Sequence, residues 1–346
     1  MTRTSRGLAK TRPGQGLELV EVEIPEPGPG ELMVRVRACG ICGTDLGYYQ
    51  WKPEVQGLIE LPRVLGHEFI GRVEAIGPET SIAVGARVTA DSDGGCGTCR
   101  FCRRGYPHAC EQQSRLGHQR DGGLADYVLV PERSAHVLPP GLDERIACLL
   151  EPFAAAVHAV ELLPNCAGTA GAVIGPGPIG LLAATALADA GCGPVLVAGL
   201  AEDDHRLEAA RRLGFEGVTV EEAAASAQSL GELGGADVVV DAVGSAASLA
   251  LAARLARFGG HVAIVGLGAA GHFAPLDLVS RELHVHGSWR RTPATWDRTI
   301  TIAERNPQLA SLVDGAYPLE RFEEAFAALV ARAHIKTVIE VGEPWR

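Results

Sequence analysis

The chain has 346 residues, of which 47% are hydrophobic and 21% charged, and its formal net charge is −11. This composition is typical of a folded protein of about two domains, and the acidic balance argues against nucleic acid or an anionic membrane surface as partner. No apolar run is long enough to span a membrane, and the polar N-terminal stretch does not have the apolar core of a secretory signal.

Residues 1–152 predict a β-rich domain, with strands at 32–38, 71–77 and 86–90 that are broken by Gly and Pro. Between the first two strands lies "RACGICGTD", which contains Cys39 and Cys42 and then Thr44. A C-x2-C pair is typical of a zinc knuckle or of a redox disulfide, and the spacing alone leaves both open.

Three further side chains of this domain have the chemistry of metal ligands. His67 and Glu68 follow a short strand in "VLGHEFIG", and Glu151 lies in the apolar stretch "LLEPFAAAVHA". Together with Cys42 they form a set of plausible zinc ligands of mixed hardness. Such a set is typical of a catalytic site, in which one coordination position stays open to water or substrate.

A second cysteine cluster occupies "CGTCRFCRRGYPHAC" and contains Cys96, Cys99, Cys102 and Cys110. Four thiolates on one loop favour a closed, structural zinc site, and an iron–sulfur cluster is the competing interpretation. The total of nine cysteines is odd. In a chain without a recognisable signal, that number favours reduced thiols and a cytoplasmic location over a disulfide framework.

Residues 153–287 alternate between strand and helix patterns. Strands are predicted at 170–175, 194–199, 236–244 and 261–268, and helices at 178–191, 203–214 and 248–260. This alternation predicts right-handed βαβ units and a parallel sheet, so the fold class is α/β.

The glycine-rich turn "VIGPGPIG" joins the first of these strands to the first helix. Gly175, Gly177 and Gly180 follow the pattern G-x-G-x-x-G, and Pro178 and Ile179 open the helix. The glycines permit a tight turn, a close approach of backbone to a pyrophosphate, and close packing of helix on strand. The strand–turn–helix context therefore predicts dinucleotide binding, with these five residues at the phosphates.

The residues after the second strand determine which cofactor fits. The position expected to carry a ribose-binding acid is Gly199, and the nearest carboxylates are Glu202, Asp203 and Asp204. These acids either contact the ribose or only stabilise the start of the next helix. The alternative is that His205 and Arg206 bind a 2′-phosphate. Because the acids would repel that phosphate, we expect NAD to be used at least as well as NADP.

The last segment, residues 288–346, predicts one amphipathic helix and a final strand within 322–341, and we expect it to return to the first domain.

Several motifs in this order carry a family resemblance: "PGPGELMVRVRACGICGTD", "LGHE", the four-cysteine loop, "DGGLADYVLVP", "LLEP", "GPGPIG", "DAVG" and "IKTVIEV". The chain resembles the zinc-dependent medium-chain dehydrogenase/reductase superfamily, in its polyol (sorbitol) and threonine dehydrogenase branch. The resemblance implies a GroES-like β-barrel catalytic domain and a Rossmann domain, with the active site in the cleft between them. It also implies a small alcohol or ketone as substrate, and a homo-oligomer, either dimer or tetramer.

The resemblance assigns two zinc ions to each chain. Cys42, His67 and Glu68 match ligands of the catalytic zinc, and Glu151 matches a glutamate that binds it directly or through water. Cys39 matches a packing position, and Thr44 matches the hydroxyl that passes on the substrate proton.

Substrate and cofactor contacts follow in the same way. The substrate positions are Tyr48, His118, Arg290 and Arg291, and the further cofactor positions are Asp241, Gly244, Val265 and Leu267. Arg291 stands where polyol enzymes often have Tyr, and either it adapts the pocket to a polar or anionic substrate or it is a solvated surface arginine. A second departure is Gly47, at a position that often holds a proton-relay His.

The activity implied is oxidation of a secondary alcohol to a ketone by hydride transfer to NAD or NADP. A zinc-independent reductase, or a non-enzymatic member of the same scaffold, is the alternative. Neither alternative needs the Cys42, His67, Glu68 and Glu151 set, so that set counts against both.

Overall fold

The computed structural model describes residues 3–231, 233–268 and 272–342. They form two compact units, one of residues up to Glu151 together with those from Ala303 onward, and one of Pro152–Ile302. The second division falls at 302/303, whereas the sequence placed it at 287/288. One reason is that Thr295 Oγ1 donates a 2.6 Å hydrogen bond to Glu161 Oε2, which ties this stretch to the second unit.

The strands, in chain order, are β1 (Arg3–Lys10), β2 (Glu18–Ile24), β3 (Glu31–Gly40), β4 (Arg63–Val64), β5 (Glu68–Ile76), β6 (Arg87–Ala90), β7 (Tyr127–Pro131), β8 (Ala135–Val137), β9 (Gly171–Ile174), β10 (Val195–Gly199), β11 (Glu216–Thr219), β12 (Ala236–Asp241), β13 (Ala256–Ile264), β14 (His284–Gly287), β15 (Val313–Pro318) and β16 (Lys336–Glu340). The α-helices are α1 (Gly43–Gln50), α2 (Glu144–Ala147), α3 (Leu150–Glu161), α4 (Pro178–Asp189), α5 (Asp204–Arg212), α6 (Val220–Gln228), α7 (Ala246–Leu255), α8 (Pro275–Val279), α9 (Pro293–Arg305) and α10 (Phe322–Val330). None of these helices is long and apolar enough to cross a bilayer.

The first unit is built on a sheet with the order β15-β16-β3-β5-β6-β8, in which β7 also pairs with β3, and on a small sheet β2-β1-β4. Buried side chains from β3, β5, β7 and α10 share one core, among them Val34, Phe69, Val128 and Phe326. The final strand, β16, pairs antiparallel with β3, so that Ile339 lies opposite Cys39. Strands far apart in sequence therefore converge where β3 ends.

The second unit contains a six-stranded parallel sheet with the order β11-β10-β9-β12-β13-β14. This arrangement confirms the predicted α/β class. Apolar side chains of β9, β10 and β12 pack with those of α6 and α7, in a core that includes Ala172, Leu196, Val239 and Leu251.

The predicted boundary between the helix at 248–260 and the strand that follows it is wrong. The helix predicted over 248–260 ends at Leu255, and β13 begins at Ala256 and ends at Ile264. The pairing of β12 with β13 shifts register between Ala236 and Val238, and Gly259 has φ +67°. Glycine accommodates such an irregular strand segment, so the Gly pair here does not end a helix.

Candidate active site

Cys42 is held at the start of α1 by a buried carboxylate. The Cys42 amide donates to Asp45 Oδ2 at 2.9 Å, and the Gly66 amide donates to Asp45 Oδ1 at 3.3 Å. Asp45 is completely buried, and the sequence analysis gave it no role. It connects the loop that carries Cys42 to the residue immediately before His67, and so positions both.

The structure brings Cys42, His67 and Glu68 together, and we call these three residues the mixed-ligand site. One candidate ligand atom from each residue lies within 4.8 Å of the others, and His67 and Glu68 are buried. Gly66 has φ +90°, and a Cβ at this position would lie 2.8 Å from Cys39 Sγ. Glycine is therefore required for the turn that delivers the two ligands at the start of β5.

The mixed-ligand site fits a zinc ion. Sulfur, imidazole nitrogen and carboxylate oxygen are the donors that zinc takes in proteins. His67 Nδ1 is buried and has no hydrogen-bond partner within the described residues. Burial lowers the pKa of His67, but the negative charge on Cys42 and Asp45 raises it more, so the pKa lies well above its ordinary value. The surroundings of this imidazole thus favour positive charge.

Glu151 stands outside that group of three. It lies in the first turn of α3, is buried, and accepts a 3.3 Å hydrogen bond from Ser92 Oγ. Its charge nevertheless acts on both His67 and Glu68. The structure therefore brings three of the four predicted ligands into one group, with the fourth close enough to interact electrostatically.

Lys336, which the sequence analysis missed, is paired with a predicted ligand. It lies on β16, is buried, and its Nζ forms an ion pair with Glu68 Oε2 and donates to the Ile41 carbonyl at 3.0 Å. Burial lowers the pKa of Lys336, but Glu68 and Cys42 raise it above its ordinary value. The available signal was a lysine inside the apolar strand pattern "IKTVIEV", because lysine is rarely buried unless it is paired.

Two of the predicted substrate positions adjoin this site. Tyr48 is fully buried, and its hydroxyl has no hydrogen-bond partner within the described residues. Its ring packs edge-on against His118 at 5.6 Å between centroids, and the His118 ring lies 5.5 Å from that of His67. The His118 Nδ1 lies 3.0 Å from the Leu116 carbonyl, so Nδ1 is the donor nitrogen. Burial raises the pKa of Tyr48, which keeps the phenol neutral.

Three further residues of α1, Thr44, Gly47 and Tyr49, have different surroundings. Thr44 Oγ1 lies 3.8 Å from Cys42 Sγ. Gly47 is buried, and a Cβ there would lie 3.0 Å from Val55 Cγ1. Tyr49 stacks on Phe326 with 4.8 Å between ring centroids, which is a packing contact within the first unit.

The four-cysteine loop has the dimensions of a mononuclear tetrahedral site. Cys96 Sγ lies 3.9 Å from Cys102 Sγ, and Cys99 Sγ lies 3.8 Å from Cys110 Sγ. Zinc–sulfur bonds of about 2.3 Å place the sulfurs of a tetrahedron about 3.8 Å apart. None of the nine cysteines, all of which lie in the described residues, forms a disulfide. These distances favour a single ion over the competing iron–sulfur cluster, whose irons are bound by separate thiolates.

Backbone amides of the four-cysteine loop point at its sulfurs. The Cys99 amide donates to Cys96 Sγ at 3.3 Å, and the Gln112 amide donates to Cys110 Sγ at 3.3 Å. The hydroxyl and amide of Thr98 and the amide of Cys99 lower the pKa of Cys96 to about 6. Burial raises the pKa of Cys102 to about 12. The loop therefore favours thiolate at Cys96, and a bound cation would favour thiolate at Cys102 as well.

The glycine-rich turn of the second unit has the geometry that its pattern predicts. Gly175 has φ +95°, and a Cβ at Gly180 would overlap the Gly175 carbonyl oxygen. Gly177 is the N-cap of α4, with Pro178 and Ile179 following, and a Cβ at Gly177 would meet nothing within 4 Å. Open space and the backbone amides of a helix start, which no preceding helical turn can accept from, suit a bound phosphate group.

Gly199 lacks a ribose-binding side chain for a steric reason. A Cβ there would lie 2.6 Å from Pro176 Cγ of the glycine-rich turn. The acids that follow differ from one another: Asp203 is buried and accepts from the Leu200 amide at 3.3 Å, whereas the side chain of Asp204 is 85% exposed. Arg206 is largely buried, with its Nη1 4.0 Å from Asp203 Oδ1.

The remaining predicted cofactor positions lie around one turn. Asp241 is fully buried; its Oδ1 accepts from the Val243 and Gly244 amides at 2.8 and 3.0 Å, and its Oδ2 accepts from Ser248 Oγ at 2.9 Å. Its carboxylate therefore shapes the turn. Val265 and Leu267 were predicted within a strand, but they follow its end, and Leu267 is 80% exposed.

Arg290 and Arg291 belong to the second unit. The guanidinium of Arg290 lies 4.6 Å from the ring centroid of Trp289, and Arg290 has φ +60°. Arg291 is buried, with its guanidinium 5.6 Å from the ring centroid of Trp296. The alternative that Arg291 is a solvated surface residue is therefore wrong.

Comparisons with known proteins agree with this architecture. Residues 28–140 match the family described as alcohol dehydrogenase GroES-like domain, and residues 178–305 match that described as zinc-binding dehydrogenase. The chain is 35% identical to an L-threonine 3-dehydrogenase of Saccharopolyspora erythraea, over 97% of this chain and 98% of that protein.

Two solved structures are similar over nearly their whole length. A protein of Sinorhizobium meliloti, classed as a zinc-binding dehydrogenase and bound to NADP, is 31% identical with a TM-score of 0.87, covering 98% of this chain and 100% of that one. An alcohol dehydrogenase of Escherichia coli in complex with NADH is 26% identical with a TM-score of 0.86, covering 98% and 99%.

The chain belongs to the zinc-dependent medium-chain dehydrogenase/reductase superfamily, in its threonine and sorbitol dehydrogenase-like branch. It is an NAD(P)-dependent alcohol dehydrogenase, with a GroES-like domain and a Rossmann domain, and these family assignments confirm the resemblance inferred from the sequence motifs.

Proposed function

We propose that this chain reversibly oxidises a secondary alcohol of the polyol, cyclitol or amino-alcohol type to the ketone, with a catalytic zinc ion in the mixed-ligand site. The observation that carries the proposal is the buried convergence of Cys42, His67 and Glu68 within 4.8 Å. A zinc-independent reductase or a scaffolding protein has no use for these three donors in one place. Similarity to an enzyme whose name specifies the 3-hydroxyl of threonine supports a secondary alcohol with a polar neighbour.

Each residue of the site has a distinct role in this proposal. Cys42, His67 and Glu68 would hold the zinc ion, with Glu151 binding directly or through water. Zinc bound there would supply Lewis acidity that lowers the pKa of the alcohol hydroxyl. Thr44, whose hydroxyl lies 3.8 Å from Cys42 Sγ, takes the proton. Because Gly47 offers no imidazole, the proton would leave Thr44 through water, or through the ribose hydroxyls of a bound cofactor.

The unpaired Tyr48 hydroxyl suits a polar group of the substrate. A buried hydroxyl without a partner costs free energy, and a second hydroxyl or an amino group of the substrate would remove that cost. His118, packed against Tyr48, adds a second polar side chain beside it. These two residues favour a substrate with a hydroxyl or amino group next to the reacting carbon over a simple alkyl alcohol. That Arg290 and Arg291 contact the substrate, as the family resemblance implies, stays a prediction.

The glycine-rich turn would bind the cofactor pyrophosphate, and the nicotinamide would supply the hydride acceptor. We propose that NAD is used at least as well as NADP. Arg206 is largely buried beside Asp203, which makes it a poor partner for a 2′-phosphate. Solved relatives hold either NADP or NADH, so the family leaves this choice to the individual chain.

A substrate screen tests the proposal. Secondary alcohols would be compared with both cofactors: L-threonine, vicinal diols, linear polyols, cyclitols and an unfunctionalised secondary alcohol as control. We expect at least one polar secondary alcohol to have a higher kcat/KM than the control. Reduction of an enone without alcohol oxidation, or no turnover of any compound by the zinc-loaded protein, would contradict the proposal. A cytoplasmic location and assembly into a dimer or tetramer stay predictions.

A further inference from the structure

We propose that Lys336 is a positioning residue of the metal site, which orients Glu68 and offsets part of the negative charge of the zinc-loaded site. The proposal rests on the function proposed above, because it assumes zinc in the mixed-ligand site. It assigns a role in metal binding to a side chain that contacts no substrate and is itself no ligand.

The contacts of Lys336 fix the position of its ammonium group. Nζ pairs with Glu68 Oε2 and donates to the Ile41 carbonyl at 3.0 Å, one residue before Cys42. The side chains of Lys336 and Glu68 are 4% and 2% exposed, so water cannot replace either partner. A charged pair with so little solvent has a fixed geometry, which in turn fixes the orientation of the Glu68 carboxylate.

The surrounding backbone leaves room for this pair. A Cβ at Gly40 would lie 2.8 Å from Lys336 Cε and would also overlap the Glu68 carboxylate. Gly40 is the last residue of β3, and Val338, two residues beyond Lys336, lies opposite it. The sheet therefore brings the ammonium group to the end of the strand from which the Cys42 loop departs.

Formal charges explain why a cation belongs there. A Cys42 thiolate, Glu68 and Glu151 would contribute three negative charges, and zinc contributes two positive ones. Lys336 supplies the third positive charge and so offsets the charge of these three ligands, while the buried Asp45 carboxylate, which accepts from the Cys42 and Gly66 amides, adds a further negative charge nearby. Without Lys336 the buried site would carry one more uncompensated negative charge, which is costly.

Stability alone is a weak explanation for the pair. Replacing a buried ion pair by well-packed apolar side chains is often neutral or stabilising. If the charge of Lys336 acts on the zinc ion, removing it should change the zinc affinity of the site, which a purely structural ion pair would not predict. Removing the lysine cation removes its repulsion of the zinc ion, so zinc should bind more tightly even though the site is damaged.

The experiment measures zinc affinity of the mixed-ligand site by competition with a chelator, in the full-length protein. The variants are Lys336→Met, Lys336→Arg, Glu68→Gln and the double variant Lys336→Met/Glu68→Gln. Lys10→Met is the matched control, because Lys10 is also buried in the first unit, but its Nζ donates to the Gly16 carbonyl at 2.9 Å and pairs with no ligand. Zinc in the four-cysteine loop serves as an internal reference.

We expect Lys336→Met to bind zinc on the order of tenfold more tightly than the wild type. Its turnover should fall, because a site with an extra negative charge accepts further negative charge from the substrate less readily. Glu68→Gln should bind zinc more weakly, the double variant should return to within about threefold of wild type, and Lys336→Arg and Lys10→Met should match wild type.

Two results would overturn the proposal. Lys336→Met could bind zinc no more tightly than the wild type does. Alternatively, the zinc affinity of the double variant could be no closer to that of the wild type than the affinities of the single variants are. If Lys336→Met does not fold, the zinc affinities of Glu68→Gln and the double variant still test the proposal. The two proteins differ only in the lysine, which has no carboxylate partner in either, so the double variant must bind zinc more tightly. A wild-type mixed-ligand site that binds no zinc overturns the proposed function as well, whereas an occupied site that ignores Lys336 overturns this inference alone.

Discussion

The first unit contains two groups of metal-ligand residues that are built in opposite ways. In the four-cysteine loop, the ligands lie within residues 96–110, and backbone amides of the same loop donate to their sulfurs. In the mixed-ligand site, Cys42 comes from the start of α1, and His67 and Glu68 come from the start of β5. Tertiary contacts through Asp45 and Lys336 then hold these side chains in place.

This difference is what we expect between a structural metal site, the four-cysteine loop, and a catalytic one, the mixed-ligand site. Four thiolates fill the coordination of a tetrahedral ion and leave nothing for a substrate. Three donors of mixed type, beside the unpaired hydroxyl of Tyr48, leave room for a reacting molecule. Substitutions in the two places should therefore affect different properties of the protein.

The largest effect is expected from Cys42→Ala. Losing a ligand of the mixed-ligand site should lower kcat by roughly 1000-fold or more, because Lewis-acid activation contributes several kcal/mol. Steady-state kinetics with a good substrate, together with circular dichroism, checks both activity and folding. Cys39→Ala is the matched control, because Cys39 is fully buried in the core and should affect stability only. Normal turnover by a folded Cys42→Ala variant would remove this site from the mechanism.

Cys99→Ser tests the other half of the comparison. A damaged four-cysteine loop should lower the melting temperature by roughly 5 °C or more, because structural zinc contributes directly to folding free energy. Among molecules that stay folded, the ratio of kcat/KM between two substrates should not change. Thermal melting and a two-substrate comparison measure these quantities. An unchanged melting temperature with normal zinc content would mean that the loop is not a structural site.

Tyr48→Phe should have a smaller effect, confined to the substrate. Removing a hydroxyl that hydrogen-bonds only to the substrate should reduce kcat/KM by roughly 5- to 10-fold. The melting temperature should stay the same or rise, because a buried hydroxyl without a protein partner is lost. If the variant keeps full activity and instead loses stability, Tyr48 is a packing residue.

The smallest effect concerns the cofactor in the second unit. We expect kcat/KM with NAD to equal or exceed that with NADP, and Arg206→Ala to change the NADP value by less than about threefold. The reason is that Arg206 is largely buried beside Asp203 and is therefore not free to meet a phosphate. A clear preference for NADP that disappears in Arg206→Ala would reverse this assignment.

Sequence reasoning worked best where a signal is local. The strand–turn–helix around Gly175 and the spacing of the four cysteines depend on neighbouring residues, and the structure has the corresponding geometry. The α/β class followed from alternating periodicity in the same way. The helix predicted through residue 260 failed because strand pairing, which depends on distant residues, overrides the helical pattern after Leu255.

Side-chain partners that are distant in sequence were beyond reach. Lys336 and Glu68 are separated by most of the chain, and only the pairing of β16 with β3 brings them together. The burial of Arg291 was not predictable either, because an arginine in a sequence is usually exposed. At Gly199 the sequence shows that the ribose-binding acid is absent. The steric reason, the close approach of Pro176 to this position, is seen only in the structure.

The most direct test of the central claim is zinc content measured alongside alcohol oxidation in three proteins: wild type, Cys42→Ala and Cys99→Ser. We predict about two zinc ions per chain in wild type and about one in each variant, with turnover lost only when the mixed-ligand site is the one emptied. Turnover that persists in Cys42→Ala, or a wild-type protein that is fully active with zinc in the four-cysteine loop alone, would contradict the account.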